Sequence, residues 1–291
     1  MKKLLFSLFL LVMAGGLMSW HWENTQFSPV NKTDVVECLN METLQAYQLE
    51  ASTPAFASMH ITPLNINPTD LLGKMTSFEA ADGKPASAYF IPAKKKSKKW
   101  LIVIQEWWGL NDHIKLEADK YYAALGDMNV IAVDMYDGKV AATPDSAMKL
   151  MRGADMGRMN AIIQGAIKNA GADASIYSVG WCFGGMWSLQ TAILAGPQAK
   201  GSVMYYGRPE NNMEKLKSIQ CDIIGFFGNQ DRSPSPEVVK EFENNMKLAG
   251  KNLSVNRYEA NHGFANPSNP SFNPTATADA YAKAIDFLKA H

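Results

Sequence analysis

The chain predicts an α/β fold with a mostly parallel sheet and helices on both faces. Three observations lead there. Apolar runs of strand length recur between longer amphipathic stretches from about residue 74 to the end. Several of those runs are apolar throughout, as strands buried on both faces are. Turn-forming residues and glycines separate them. Of the 291 residues, 47% are hydrophobic and 19% charged, which suits a packed core and argues against global disorder. Lys+Arg and Asp+Glu are 28 each, giving a formal net charge of zero. No basic excess points to nucleic acid as a partner, and no acidic tail is present.

The first twenty residues carry a secretory-signal pattern. Lys2 and Lys3 precede the apolar run Leu4–Val12, and small residues follow at Ala14, Gly15 and Gly16. Cleavage after Gly16 is expected. The alternative is retention as an anchor, with Trp20 and Trp22 at the interface, and only then is a membrane involved. An exported protein, periplasmic or secreted, follows from either. Residues 21–73 read as an extension rich in Asn, Thr, Ser and Pro. Val35–Leu49 suits one helix near Thr33 or Asp34 as cap. His21 and His60 stand isolated there and read as exposed or simply hydrogen-bonded. Three cysteines are too few for a disulfide framework, and one pairing, Cys38 with Cys221, is compatible with export. No Cys-x-x-Cys pair suggests a structural metal site, and no metal or organic cofactor is expected.

From residue 74 the elements follow in order. Met75–Ala80 and Ala86–Ile91 flank Asp82-Gly83, a hairpin signal. Lys94–Lys99 is a solvated loop. Trp100–Gln105 is a strand, Asp112–Leu125 a helix, and Asn129–Asp134 the next strand. Pro144–Asn169 reads as one helix. Ser175–Gly180 is a strand leading into the helix Phe183–Ala195. Gly201–Tyr206 and Asp222–Gly228 are buried-type strands. Pro236–Ala249 is a helix with Val239, Phe242 and Met246 on one face. Leu253–Glu259 is the last strand and Ala276–Ala290 the closing helix.

Chemistry in such sheets gathers at the carboxyl ends of the strands. Three of those ends carry one constellation. Gly180-Trp181-Cys182-Phe183-Gly184-Gly185 lies between a strand and a helix. Glycines two residues either side of Cys182 give the nucleophile-elbow spacing, with Cys in place of Ser. The thiol then stands at a helix N-terminus, whose partial positive charge favours thiolate. Asp231 follows the next-but-one strand, 49 residues on, and His262 follows the last strand, 31 further on. Cys, Asp, His is the triad order of α/β-hydrolases. A fourth piece, Gln105-Glu106-Trp107-Trp108-Gly109, ends the strand that supplies the second oxyanion donor in this fold. The expected donors are the backbone N–H groups of Phe183 and Trp107. Glu106 near the thiol is unexpected, because a like charge opposes thiolate formation.

These motifs, with Leu110-Asn111 and His262-Gly263-Phe264, resemble the dienelactone hydrolase (carboxymethylenebutenolidase) family over residues 74–291. The resemblance implies an α/β-hydrolase fold with Cys182 as nucleophile, His262 as base and Asp231 as its orienter. It implies that Glu106 engages the resting thiol until substrate displaces it. It departs in one place: the family pattern puts an Arg four residues past the catalytic His, to bind a substrate carboxylate, and here Asn266 stands there. Arg152 and Arg158 are the candidates for a second substrate-binding cation, and Trp108 adds apolar surface for the acyl group. The expected substrate is a small-molecule ester or lactone and the expected state a monomer. A general carboxylesterase or thioesterase on the same triad, and a non-catalytic exported binding protein, remain alternatives at this point.

Overall fold

The computed structural model describes residues 43–58, 60–62, 64, 68 and 70–291. The signal pattern and Cys38 lie outside them. Among the described residues, no helix is long and apolar enough to cross a membrane.

Among the described residues, eight strands form one sheet in the order β1-β2-β4-β3-β5-β6-β7-β8. They are β1 (Lys74–Glu79), β2 (Pro85–Ile91), β3 (Lys99–Ile104), β4 (Asn129–Val133), β5 (Ser175–Trp181), β6 (Ala199–Tyr205), β7 (Asp222–Gly228) and β8 (Leu253–Tyr258). β1 and β2 form the expected antiparallel hairpin, and β2 runs antiparallel to β4. All other pairings are parallel. The carboxyl ends of β3, β5, β6 and β7 therefore open on one edge, with Ile104 beside Gly180 and Trp181 beside Tyr205.

The central strand shows why its sequence is apolar throughout. Ile102 and Ile104 join one core, while Leu101 and Val103 join the other, all four fully buried. On the first face α5 (Met156–Ala170), α6 (Phe183–Ala195) and α8 (Pro236–Leu248) pack, the last through Val239, Phe242 and Met246 as its spacing predicts. On the second, α3 (Asp112–Leu125) presents Ile114, Ala118 and Tyr121 beside Ala280, Ala284 and Leu288 of α9 (Pro274–Ala290). A short α7 (Met213–Ser218) precedes β7.

Two departures from the expected elements have local causes. The segment read as one helix is two, α4 (Pro144–Arg152) and α5. Gly153 closes α4 by donating to Lys149 O, and the Asp155 side chain caps α5 by accepting from Arg158 N. The second departure is larger. The helix expected over Val35–Leu49 is seen at residues 43–51 (α1), its earlier part lying outside the described residues, and with Pro54–Ser58 (α2) it belongs to the core. Leu44, Tyr47, Ala51 and Phe56 are buried in the first-face cluster. Gln48 Nε2 donates to Met151 O and Ala154 O at the α4 C-terminus, at 2.9 and 2.8 Å, tying the extension to the point where that helix stops. Thr43 Oγ1 donates to the buried Glu210 (2.6 Å), whose other oxygen pairs with Lys215 (2.8 Å).

Candidate active site

Cys182 lies at the junction of β5 and α6 with φ 56° and ψ −116°, a conformation a Cβ-bearing residue adopts only under constraint. The constraint is the close approach of neighbouring backbone. A Cβ at Gly180 would meet Gly184 O, and one at Gly184 would meet Ile104 O. Only glycine fits at either position, so the elbow spacing follows from packing. Cys182 N donates to Tyr205 O (2.9 Å), pinning the turn to β6. Phe183 is the first residue of α6, where helix N–H groups have no intrahelical acceptor.

Asp231 sits in the turn after β7 and His262 in the loop after β8. His262 Nδ1 donates to Asp231 Oδ2 at 2.8 Å, and Asp231 Oδ1 accepts from Ser233 N at 2.8 Å. The Asp231 side chain is buried, and that of His262 is 14% exposed. Burial opposes a charge on His262, but the Asp231 carboxylate and the Cys182 sulfur outweigh it and hold its pKa well above the ordinary histidine value. His262 Nε2 has no hydrogen-bond partner among the described residues.

The extension supplies the unexpected part of the site. His60, read as exposed or simply hydrogen-bonded, is buried, with Nε2 3.8 Å from Cys182 Sγ. Its Nδ1 donates to Phe56 O (2.8 Å), which fixes the tautomer and leaves the Nε2 lone pair toward sulfur. Burial, then the neighbouring His262, lower its pKa to about 3, so it is neutral. Tyr47 OH is 3.7 Å from the same sulfur. The His60 ring stacks on Phe56 and lies 4.5 Å from the Trp107 ring. These side chains roof the site, and Cys182 is 4% exposed. One donor atom each from His60, Cys182 and His262 lie within 4.8 Å of one another.

Glu106 is buried beside this cluster without touching the thiol. Its Oε2 accepts from Asn266 Nδ2 (2.6 Å) and its Oε1 from Tyr206 OH (3.5 Å). The expected resting contact with Cys182 is replaced by Tyr47 and His60. Burial raises the Glu106 pKa to about 7, against the contrary pull of Asn266, His262 and Tyr206. The buried Asn266 side chain is likewise committed within the protein. Its Nδ2 serves Glu106, and its Oδ1 accepts from Ser268 N and Oγ at 2.8 and 2.6 Å. Arg152 is spent on Ser52 O (2.7 Å) in the extension, and Arg158 pairs with Asp82 (2.8 Å) and Asp137 (2.7 Å) at a distant corner. Both guanidinium groups are committed to these partners. Trp107 and Trp108 are both buried, their rings edge to face at 4.9 Å. Polar atoms without a partner among the described residues include Trp107 Nε1 and Tyr136 OH, both on side chains beside the site. Cys221, at the start of β7, is a packing cysteine whose pKa burial pushes up to about 12.

A Cys-bearing strand-to-helix turn and a His–Asp pair after the last strands are joined by the comparisons. Residues 86–291 match the model of the dienelactone hydrolase family. The chain belongs to that family. It is thereby a carboxylic ester hydrolase. Among relatives, the protein usf of Aquifex pyrophilus is 28% identical over 233 residues, 75% of this chain and 98% of its own. Carboxymethylenebutenolidase 1 of Cupriavidus pinatubonensis is 25% identical over 232 residues, 75% of this chain and 97% of its own. Among solved structures, a dienelactone hydrolase-like promiscuous phosphotriesterase from metagenomic libraries superposes with a TM-score of 0.63 at 22% identity, covering 75% of this chain and 98% of its own. The fold is that of the α/β-hydrolases, as the sequence predicts.

Proposed function

We propose that this dienelactone hydrolase family member hydrolyses small, activated esters or lactones through a thioester formed on Cys182. The observation that carries the reading is Cys182 at a φ of 56° on the strand-to-helix turn, with the Asp231-bonded His262 beside it. His262 takes the thiol proton, and Asp231 holds its ring and offsets the charge that forms. The thiolate attacks the acyl carbonyl. The backbone N–H groups of Phe183 and Trp107 receive the oxyanion, each worth about 3–4 kcal/mol by analogy with serine enzymes. His262 returns its proton to the leaving oxygen. Water, deprotonated by His262, then attacks the thioester and releases the acid and the thiol. No cofactor enters these steps.

The leaving group is bounded by the nucleophile. A thiolate leaves a tetrahedral intermediate more readily than an alkoxide, so attack on plain alkyl esters reverses. Enol esters, lactones with enolate leaving groups, aryl esters and thioesters go forward. The acyl side faces Tyr47, Phe56, Trp107 and Tyr136, with neutral donors at Trp107 Nε1 and Tyr136 OH. A neutral, aromatic or apolar acyl group suits these walls. Lys2-Lys3 and the run Leu4–Val12 support export, periplasmic or secreted.

The test is a hydrolysis screen on the purified mature protein. Phenyl esters and enol lactones are expected at kcat/KM at least a hundredfold above the matched alkyl esters, with amides inert. Equal turnover of alkyl and aryl esters contradicts thioester chemistry.

A further inference from the structure

We infer that His60, Cys182 and His262 form a binding site for a zinc-class divalent cation that clamps the N-terminal extension onto the hydrolase body. The site stands on geometry alone. That occupancy silences hydrolysis rests on the reading of Cys182 as nucleophile.

Each ligand atom is aimed and available. His60 Nδ1 is committed to Phe56 O, and His262 Nδ1 to Asp231 Oδ2. Nε2 of each ring is therefore the nitrogen left for a metal, on His262 once it has given up the proton it holds there. A carbonyl or carboxylate on the far nitrogen is the support that metal-bound histidines have, because it fixes the tautomer and ring plane and raises basicity. His262 Nε2 has no partner among the described residues, and the contact of His60 Nε2 is the sulfur itself. Tetrahedral zinc bonds of about 2.0–2.3 Å place ligand atoms roughly 3.3–3.8 Å apart. Sγ and His60 Nε2 are already 3.8 Å apart, and all three atoms lie within 4.8 Å. Small rotations close the rest.

The donor set chooses the metal. One thiolate with two imidazoles suits zinc and its neighbours, and excludes magnesium and calcium, which take oxygen ligands. Whatever protons the Cys182 sulfur and His262 Nε2 hold are released to solvent on binding. Three protein ligands leave the fourth position to solvent or to the Tyr47 oxygen, 3.7 Å from the sulfur. A metal-held thiolate cannot attack a carbonyl, and its histidine base is occupied at the same time. Because His60 comes from the extension and the other two from the body, occupancy ties the roof down over the site.

The experiment uses the full chain, stripped with chelator and titrated with cobalt(II) as a spectroscopic probe, then with zinc chloride in competition. One cobalt per chain is expected, with a near-ultraviolet thiolate-to-cobalt band that zinc abolishes. Saturating zinc should protect Cys182, and not Cys221, from iodoacetamide, as mapped by peptide mass. His60→Gln and Cys182→Ser should each weaken zinc at least a hundredfold with the circular dichroism spectrum unchanged. If a variant misfolds, the iodoacetamide map on the wild type decides. Absence of the band, no protection of Cys182, or zinc affinity within threefold of wild type in His60→Gln overturns the site. Hydrolysis enters none of these readouts. A protein that binds zinc there and hydrolyses nothing refutes the enzymatic reading, not this one.

Discussion

Glu106→Gln isolates the consequence of burying a carboxyl beside the site. Gln keeps the shape and both hydrogen bonds: its oxygen can accept from Asn266 and its amide can donate to the Tyr206 oxygen. The folded-state pKa is about 7 against an ordinary 4.5. A raised carboxyl pKa means that the folded chain holds a proton the unfolded chain has released between those values. Stability therefore falls as pH rises through that window. The difference, at about 1.4 kcal/mol for each pKa unit, is about 3 kcal/mol lost by pH 8 relative to pH 4.5. Urea denaturation of wild type and variant at half-unit steps from pH 4.5 to 8 reads it directly. The variant should gain stability over wild type as pH rises, by about 3 kcal/mol at the top of the range. His262, with its own raised pKa, is present in both proteins and largely drops out of the difference. Parallel curves would show that Glu106 is ionised at an ordinary pKa, and the account of its burial would be wrong.

Other outcomes follow from the same contacts. Gly184→Ala places a Cβ against Ile104 O at the centre of the sheet, so the variant should lose several kcal/mol of stability or fail to accumulate folded, as urea denaturation or soluble yield will show. Between an anionic and a neutral aryl ester with matched leaving groups, kcat/KM should differ by less than about tenfold, because Arg152 and Arg158 are committed to partners elsewhere and Asn266 carries no charge; a strong anionic preference would reveal a cation at the site. Mass spectrometry of the mature protein should find a new N-terminus near Leu17, and intact Met1 in a soluble cytoplasmic fraction would refute export.

The elbow is legible in the sequence because glycine alone fits where β5, α6 and β3 converge, so Gly180 and Gly184 mark Cys182 from both sides. Asp231 and His262 are legible because parallel strands bring successive carboxyl ends to one edge. The roof is not. His60 and Tyr47 meet Cys182 across 122 and 135 residues of chain, and no periodicity or spacing encodes such a contact. One clue was present in Leu44, Tyr47 and Ala51, which repeat at helical spacing among Gln45, Gln48 and Glu50. The arginines mislead for a related reason. A long cationic side chain takes the acceptors within reach, and for Arg158 those are Asp82 and Asp137, brought together by the fold from distant parts of the chain. Asn266 stands where the family resemblance leads one to expect an Arg, and its amide is taken by Glu106.

The central claim is that the acyl group passes through the sulfur of Cys182. A slowly deacylating aryl ester, mixed with the protein and quenched in acid within the first turnovers, traps whatever intermediate accumulates. Intact mass should rise by one acyl group, and peptide mapping should place it on Cys182, with Cys182→Ala folded, unmodified and inactive. Acyl label on another residue, or turnover surviving in Cys182→Ala, would contradict the account.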